Sequence, residues 1–256
     1  MTVATVFITG ASSGIGAACA RRFAHEGKRL VLAGRRTDRL MELKRELESN
    51  SPAKVHAIAL DVREKAAVDE AISSLPAEFS AIDVLLNNAG LALGLEPAHQ
   101  VAISDWEGMV DTNVKGLLYV TRAVLPGMVA RDRGHIVQMG SVAGTYPYPG
   151  GNVYCGTKAF VHQFSLALRA DLLGTKIRVT CIEPGMVETE FAEVRFKGDK
   201  SKAKQVYAGM QPLTADDIAD AIAWCTSRPW HFNVNTLELM PVAQAFGPFG
   251  VKRATS

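Results

Sequence analysis

The sequence predicts an α/β chain built on one Rossmann-type doubly wound parallel sheet with helices on both faces, and three observations carry that expectation. Short runs rich in Val, Ile and Leu alternate along the chain with stretches of helical spacing. Several of these runs are apolar throughout, as strands are when helices cover both faces. A glycine-rich turn follows the first run directly and leads into the first helix.

The expected strands cover residues 3–8, 29–33, 54–60, 82–86, 135–139, 176–182 and 236–239. The helical stretches between them are 14–26, 37–48, 63–74, 104–130, 152–173 and 215–227. Thr214 and Asp217 form a capping pair for the last helix, with the acidic side chain favourable toward the helix dipole. Residues 188–212 are polar, rich in lysine and least regular, which suggests a substrate lid. No repeat or linker divides the chain, so one domain over 1–256 is expected.

Bulk composition narrows the function. With 48% hydrophobic and 21% charged residues, the chain has the make-up of a soluble globular enzyme. Twenty-eight basic against 26 acidic residues give +2, without the basic patch that nucleic acid requires. Cys19, Cys155, Cys181 and Cys225 lie far apart and read as reduced thiols. The six histidines show no metal spacing, so no metal is expected. No leader precedes the first strand and no apolar run spans a bilayer, which makes the cytoplasm the expected location.

The turn after the first strand reads Thr9, Gly10, Ala11, Ser12, Ser13, Gly14, Ile15, Gly16. Glycines there allow the backbone close to a pyrophosphate, and the free amides of the helix N-terminus add positive potential. The second strand ends in Gly34, Arg35 and Arg36, with no carboxylate placed for the ribose 2′-hydroxyl of NAD. Two guanidiniums instead suit a 2′-phosphate, which makes NADP(H) the expected cofactor.

Asn87, Asn88, Ala89 and Gly90, then Asn113, Ser141, Tyr154 with Lys158, and Pro184 with Gly185, stand in the order and spacing of the short-chain dehydrogenase/reductase family. The chain resembles that family over nearly its whole length. Residues four apart share a helix face, so Lys158 lies beside Tyr154, and its ammonium is expected to favour the phenolate. Tyr154 then serves as general acid and base. The resemblance implies that Ser141 holds the reacting oxygen, that Lys158 also holds the nicotinamide ribose and that Asn113 holds a proton-relaying water. It implies further cofactor contacts from Asp61 and Val62 near the adenine, and from Asn87, Ala89, Gly90, Pro184, Gly185, Val187 and Thr189. A homotetramer is the family's usual assembly.

Residues 91–98, 146–154 and 193–199 resemble one subgroup, which holds NADP-dependent 3-hydroxy acid and serine dehydrogenases and the sulfoacetaldehyde reductases that form isethionate. Their substrates carry a carboxylate or sulfonate one carbon from the reacting carbon. An anion so placed needs a charged partner, and Arg195, helped by Tyr148, is the expected receptor. Alternatively, Arg195 joins Lys197, Lys200, Lys202 and Lys204 in a solvated basic surface. The residues do not separate malonic semialdehyde from sulfoacetaldehyde. A reductase of larger ketones and a non-catalytic NADP-binding regulator are the competing readings.

Overall fold

The computed structural model describes residues 3–247, and all seven expected strands form within them. They are β1 (Thr5–Thr9), β2 (Arg29–Gly34), β3 (Val55–Ala59), β4 (Ile82–Asn87), β5 (Gly134–Met139), β6 (Ile177–Pro184) and β7 (Thr236–Leu239). They build one sheet in the order β3-β2-β1-β4-β5-β6-β7, with every neighbouring pair parallel. The chain winds outward from β1 to β3, then crosses over to β4 and winds the other way. That reversal opens a crevice at the carboxyl ends of β1 and β4, the place where ligands bind in such sheets.

The helices are α1 (Gly14–His25), α2 (Thr37–Asn50), α3 (Lys65–Ser73), α4 (Ile103–Val110), α5 (Leu117–Ala130), α6 (Asn152–Asp171), α7 (Phe191–Arg195), α8 (Lys200–Gln205) and α9 (Ala215–Ser227). Successive strand residues point to opposite faces. Val6, Ile8, Leu30 and Leu32 therefore pack on the side of α1, α2 and α9, while Phe7, Val31, Leu85 and Ile136 pack against α3, α5 and α6. Each such side chain contributes about 1.5–3 kcal/mol when fully buried. The two cores together hold the strand ends at fixed spacing.

Two local expectations change. The stretch expected as one helix over 104–130 is broken by a π-helical turn, Asp111–Gly116, between α4 and α5. The buried Asn113 lies in that turn; its Oδ1 accepts from the Leu91 amide at 2.9 Å and its Nδ2 donates to the Leu91 carbonyl at 2.8 Å. The extra residue of a π turn alters which side chains face inward, and here it meets a contact made 22 residues away. The irregular stretch 188–212 contains α7 and α8, the latter capped by Asp199, which accepts from the Ser201 and Lys202 amides. The capping pair expected at α9 forms as a full capping box between Thr214 and Asp217. Among the described residues no helix is long and apolar enough to cross a membrane.

Candidate active site

A cleft of about 710 Å³ lies over the carboxyl ends of the central strands, and nearly every residue expected at the site lines it. Its floor is the turn from β1 into α1. Gly10 and Gly14 have φ of +64° and +51°, conformations that side chains rarely adopt. Gly16 sits behind the turn and does not line the cleft; a β-carbon there would meet the Gly10 carbonyl oxygen at 2.4 Å. Helix α1 therefore packs directly against its own entry loop. Ser13 occupies its N-cap position without capping it, so no side chain there claims the first-turn amides. Its hydroxyl instead accepts from Arg36 at 2.5 Å. Glycine backbone and uncapped helix end together suit a pyrophosphate.

Arg35 and Arg36 both line this end of the cleft, in different settings. Arg36 donates to Ser12 and Ser13 and pairs at 2.8 Å with Glu190, just before α7, while Arg35 is exposed. Glu190 also pairs with Arg39. Partial burial opposes its ionisation, but hydrogen bonds from Arg39 and Arg36 hold its carboxyl down to about 2. Asp61 and Val62 line the adjacent wall. Asp61 is held below the usual carboxylate range mainly by its hydrogen bonds from Arg63.

Asn87 takes no part in the lining. It is buried at the end of β4 and donates to Thr121 at 2.8 Å and Gln138 at 2.9 Å. The next residue, Asn88, lines the cleft and donates to the Thr9 and Gly10 carbonyls, clamping the phosphate turn to β4. Ala89, Gly90, Pro184, Gly185, Val187 and Thr189 line the cleft as expected. Thr189 faces the phosphate turn, where a β-carbon on Gly14 would lie 3.4 Å from its side chain.

The reactive end is built by α6 and the turn after β5. Ser141 leaves β5 into a 3-10 turn, Val142–Gly144, where a β-carbon on Gly144 would meet the Lys158 backbone at 2.8 Å. That close approach seats the turn against α6, and the Ser141 hydroxyl accepts from the Ala143 amide at 3.1 Å and donates to the Pro184 carbonyl at 3.4 Å. The Lys158 ammonium donates to the Met139 carbonyl at 2.7 Å and lies 5.8 Å from the Tyr154 ring centre.

Electrostatics at this pair differ from the expectation. Burial raises Tyr154 to about 12, and the nearby Arg195 and Ser141 only partly offset it. Burial likewise lowers Lys158 to about 8. Desolvation thus dominates both titrations, because the two groups are taken out of water together. Asn113 does not line the cleft; besides Leu91, its side chain donates to Thr157 at 3.1 Å.

Arg195, the last residue of α7, reaches across to this end. It donates to the Tyr148 hydroxyl at 2.8 Å, and its guanidinium carbon lies 5.1, 5.2 and 5.7 Å from the ring centres of Tyr154, Phe191 and Tyr148. Its Nε is buried without a hydrogen-bond partner. Lys197 and Lys202 pair with Asp105 and Asp199, whereas no carboxylate among the described residues pairs with Arg195. Arg195 therefore stands apart from the solvated basic surface. Sequence reasoning missed Glu190 and Phe191 at this site and named Asn88 only within its motif, without a role in the cleft.

Known proteins resemble the chain over nearly its whole length. The family model described as short chain dehydrogenase matches residues 4–200. The chain is 55% identical over 249 residues to the NADP-dependent 3-hydroxy acid dehydrogenase YdfG of Escherichia coli (strain K12), covering 97% of this chain and 99% of that one. It is 52% identical over 249 residues to the serine 3-dehydrogenase of Agrobacterium fabrum, covering 97% and 98%. Among solved structures, the closed form of a serine dehydrogenase complexed with NADP+ is 54% identical with a TM-score of 0.93, covering 98% of this chain and all of that one.

Proposed function

The chain belongs to the short-chain dehydrogenase/reductase family, and on that footing we propose that it is an NADP(H)-dependent oxidoreductase of small anionic aldehydes and their alcohols. Its substrates carry a carboxylate or sulfonate one carbon from the reacting carbon: 3-hydroxy acids, serine, or the sulfoacetaldehyde and isethionate pair. The observation that carries this reading is the Arg195 guanidinium, caged by the rings of Tyr154, Phe191 and Tyr148, free of any carboxylate among the described residues and with a buried, unpartnered Nε. A half-buried cation without a counter-ion suits an anionic ligand. A bulky neutral ketone would leave it unpaired.

The cleft fits the cofactor. Gly10, Ser12, Ser13, Gly14 and Ile15 would cradle its pyrophosphate, Arg35 and Arg36 its 2′-phosphate, and Asp61 with Val62 its adenine. Ala89, Gly90, Pro184, Gly185, Val187 and Thr189 would border the nicotinamide half. When bound, the nicotinamide supplies or accepts the hydride. Ser141 then holds the substrate oxygen, Tyr154 gives that oxygen its proton or takes it back, and Lys158 orients the cofactor ribose. Asn113 Oδ1 and Lys158 Nζ lie 3.3 and 3.6 Å from the point a Gly90 β-carbon would occupy, which supports a water-borne proton relay between them. Residues 188–212 act as the lid that brings Arg195 over the substrate, and Tyr148 steadies that arginine.

A substrate panel tests the reading. With NADPH, malonic semialdehyde and sulfoacetaldehyde are expected to show kcat/KM at least tenfold above that of an uncharged aldehyde of similar size, since each makes a charged hydrogen bond that the neutral one lacks. Equal values, or faster turnover of bulky ketones, would refute it. For the cofactor, loss of a charge-assisted pair is expected to cost about 1.5–3 kcal/mol, so Arg35→Ala should lower the NADPH-to-NADH ratio of kcat/KM by tenfold or more. An unchanged ratio would place the 2′-phosphate on other residues. We further infer a homotetramer on the family resemblance, and a cytoplasmic location, in keeping with four buried thiols that form no disulfide.

A further inference from the structure

Behind the reactive end, on the face of β6 that meets α6, Glu183 is 2% exposed. Its Oε1 accepts from the Cys181 thiol at 3.4 Å and stands 2.5 Å from His162 Nδ1. The ligand atoms of all three side chains lie within 4.8 Å of one another. The placement follows from the elements: Cys181 and Glu183 are two apart on β6 and share a face, and His162 is one turn beyond Lys158 on α6. None of the three lines the cleft or has a part in the proposed chemistry.

We propose that His162, Cys181 and Glu183 form a three-ligand site for one zinc ion, with its fourth position open to solvent past His162. Imidazole nitrogen, thiolate sulfur and carboxylate oxygen are the donor set zinc accepts, whereas magnesium and calcium prefer oxygen alone. At ordinary zinc bond lengths, tetrahedral ligand atoms stand about 3.3–3.6 Å apart. The sulfur-to-oxygen distance already meets that. The nitrogen-to-oxygen distance must widen by about 1 Å, and His162 can move because its side chain is about a third exposed. On binding, the thiol S–H bond gives way to a Zn–S bond and its proton leaves to solvent, with no change of oxidation state. The buried carboxylate gains a full counter-charge.

Titration of the metal-free full-length enzyme with Co2+ tests the site directly. One equivalent per chain is expected to give a near-ultraviolet thiolate-to-cobalt band that Zn2+ displaces. Loss of a ligand should cost at least as much as loss of a supporting residue, so Cys181→Ser and His162→Gln are each expected to weaken zinc binding about 100-fold, measured against a chromogenic chelator. Cys181→Ser should also abolish the band. NADPH turnover of both variants in chelator should match wild type. His162→Gln changes a partly exposed side chain, so it decides the matter if Cys181→Ser fails to fold. Absence of the band in the wild type, or zinc affinity unchanged in both variants, would reduce the cluster to a hydrogen-bonded tie between α6 and β6.

Discussion

Tyr154→Phe is expected to lower kcat for aldehyde reduction by about 10²–10⁴-fold while leaving NADPH binding intact, because it removes only the proton that the substrate oxygen receives. The ring stays in place: it packs on Phe191 at 5.7 Å between centres and under Arg195, so the fold has no reason to change. Single-turnover hydride transfer reads the chemistry, and fluorescence titration with NADPH reads the binding. Turnover within tenfold of wild type would show that the proton comes from elsewhere. The pH dependence follows with its sign. Burial holds Tyr154 up at about 12 in the free protein, so it stays protonated through the neutral range and serves reduction as an acid. Alcohol oxidation needs the phenolate and should therefore accelerate as pH rises. Reduction should instead weaken once the proton begins to leave. A bound, positively charged nicotinamide would draw the tyrosine down from its free-protein value, which makes the oxidation profile the more sensitive of the two.

What the sequence made legible is local. The phosphate turn was readable because strand, glycines and helix are contiguous between Thr5 and His25, and Tyr154 with Lys158 because four residues make one helical turn. The features that escaped depend on distant partners or on depth. Whether Asn87 or Asn88 faces the crevice turns on where β4 ends, and a one-residue difference sends the side chain to the opposite face. The π-helical turn at Asn113 answers to Leu91, a neighbour only after folding. Glu190 meets Arg36 across 154 residues, a pairing no local pattern announces. The titration of Tyr154 escaped for another reason: adjacency to Lys158 was visible, but the burial that raises the tyrosine belongs to the folded state.

Arg195→Ala is expected to lower kcat/KM for carboxylate- and sulfonate-bearing aldehydes by about 10- to 150-fold, the equivalent of a lost charged hydrogen bond of 1.5–3 kcal/mol. A neutral aldehyde of similar size should lose less than threefold. The contrast between the two substrates isolates recognition from folding, because the guanidinium also has structural contacts. It bonds the Tyr148 hydroxyl and covers the faces of Tyr154 and Phe191. The residue's own carbonyl accepts from Gly94, but that backbone contact survives the substitution. Loss of the side chain therefore loosens the aromatic cage for every substrate alike, while loss of the charge is felt by anions alone. Arg195→Lys sharpens the distinction: an ammonium restores charge without the planar fork that bonds an oxyanion at two points. Partial recovery for the anionic aldehydes, with the neutral one unmoved, would assign the residue to the anion. Equal losses for charged and neutral substrates would assign Arg195 to the shape of the lid, and the preference for anionic aldehydes would then need another residue to explain it.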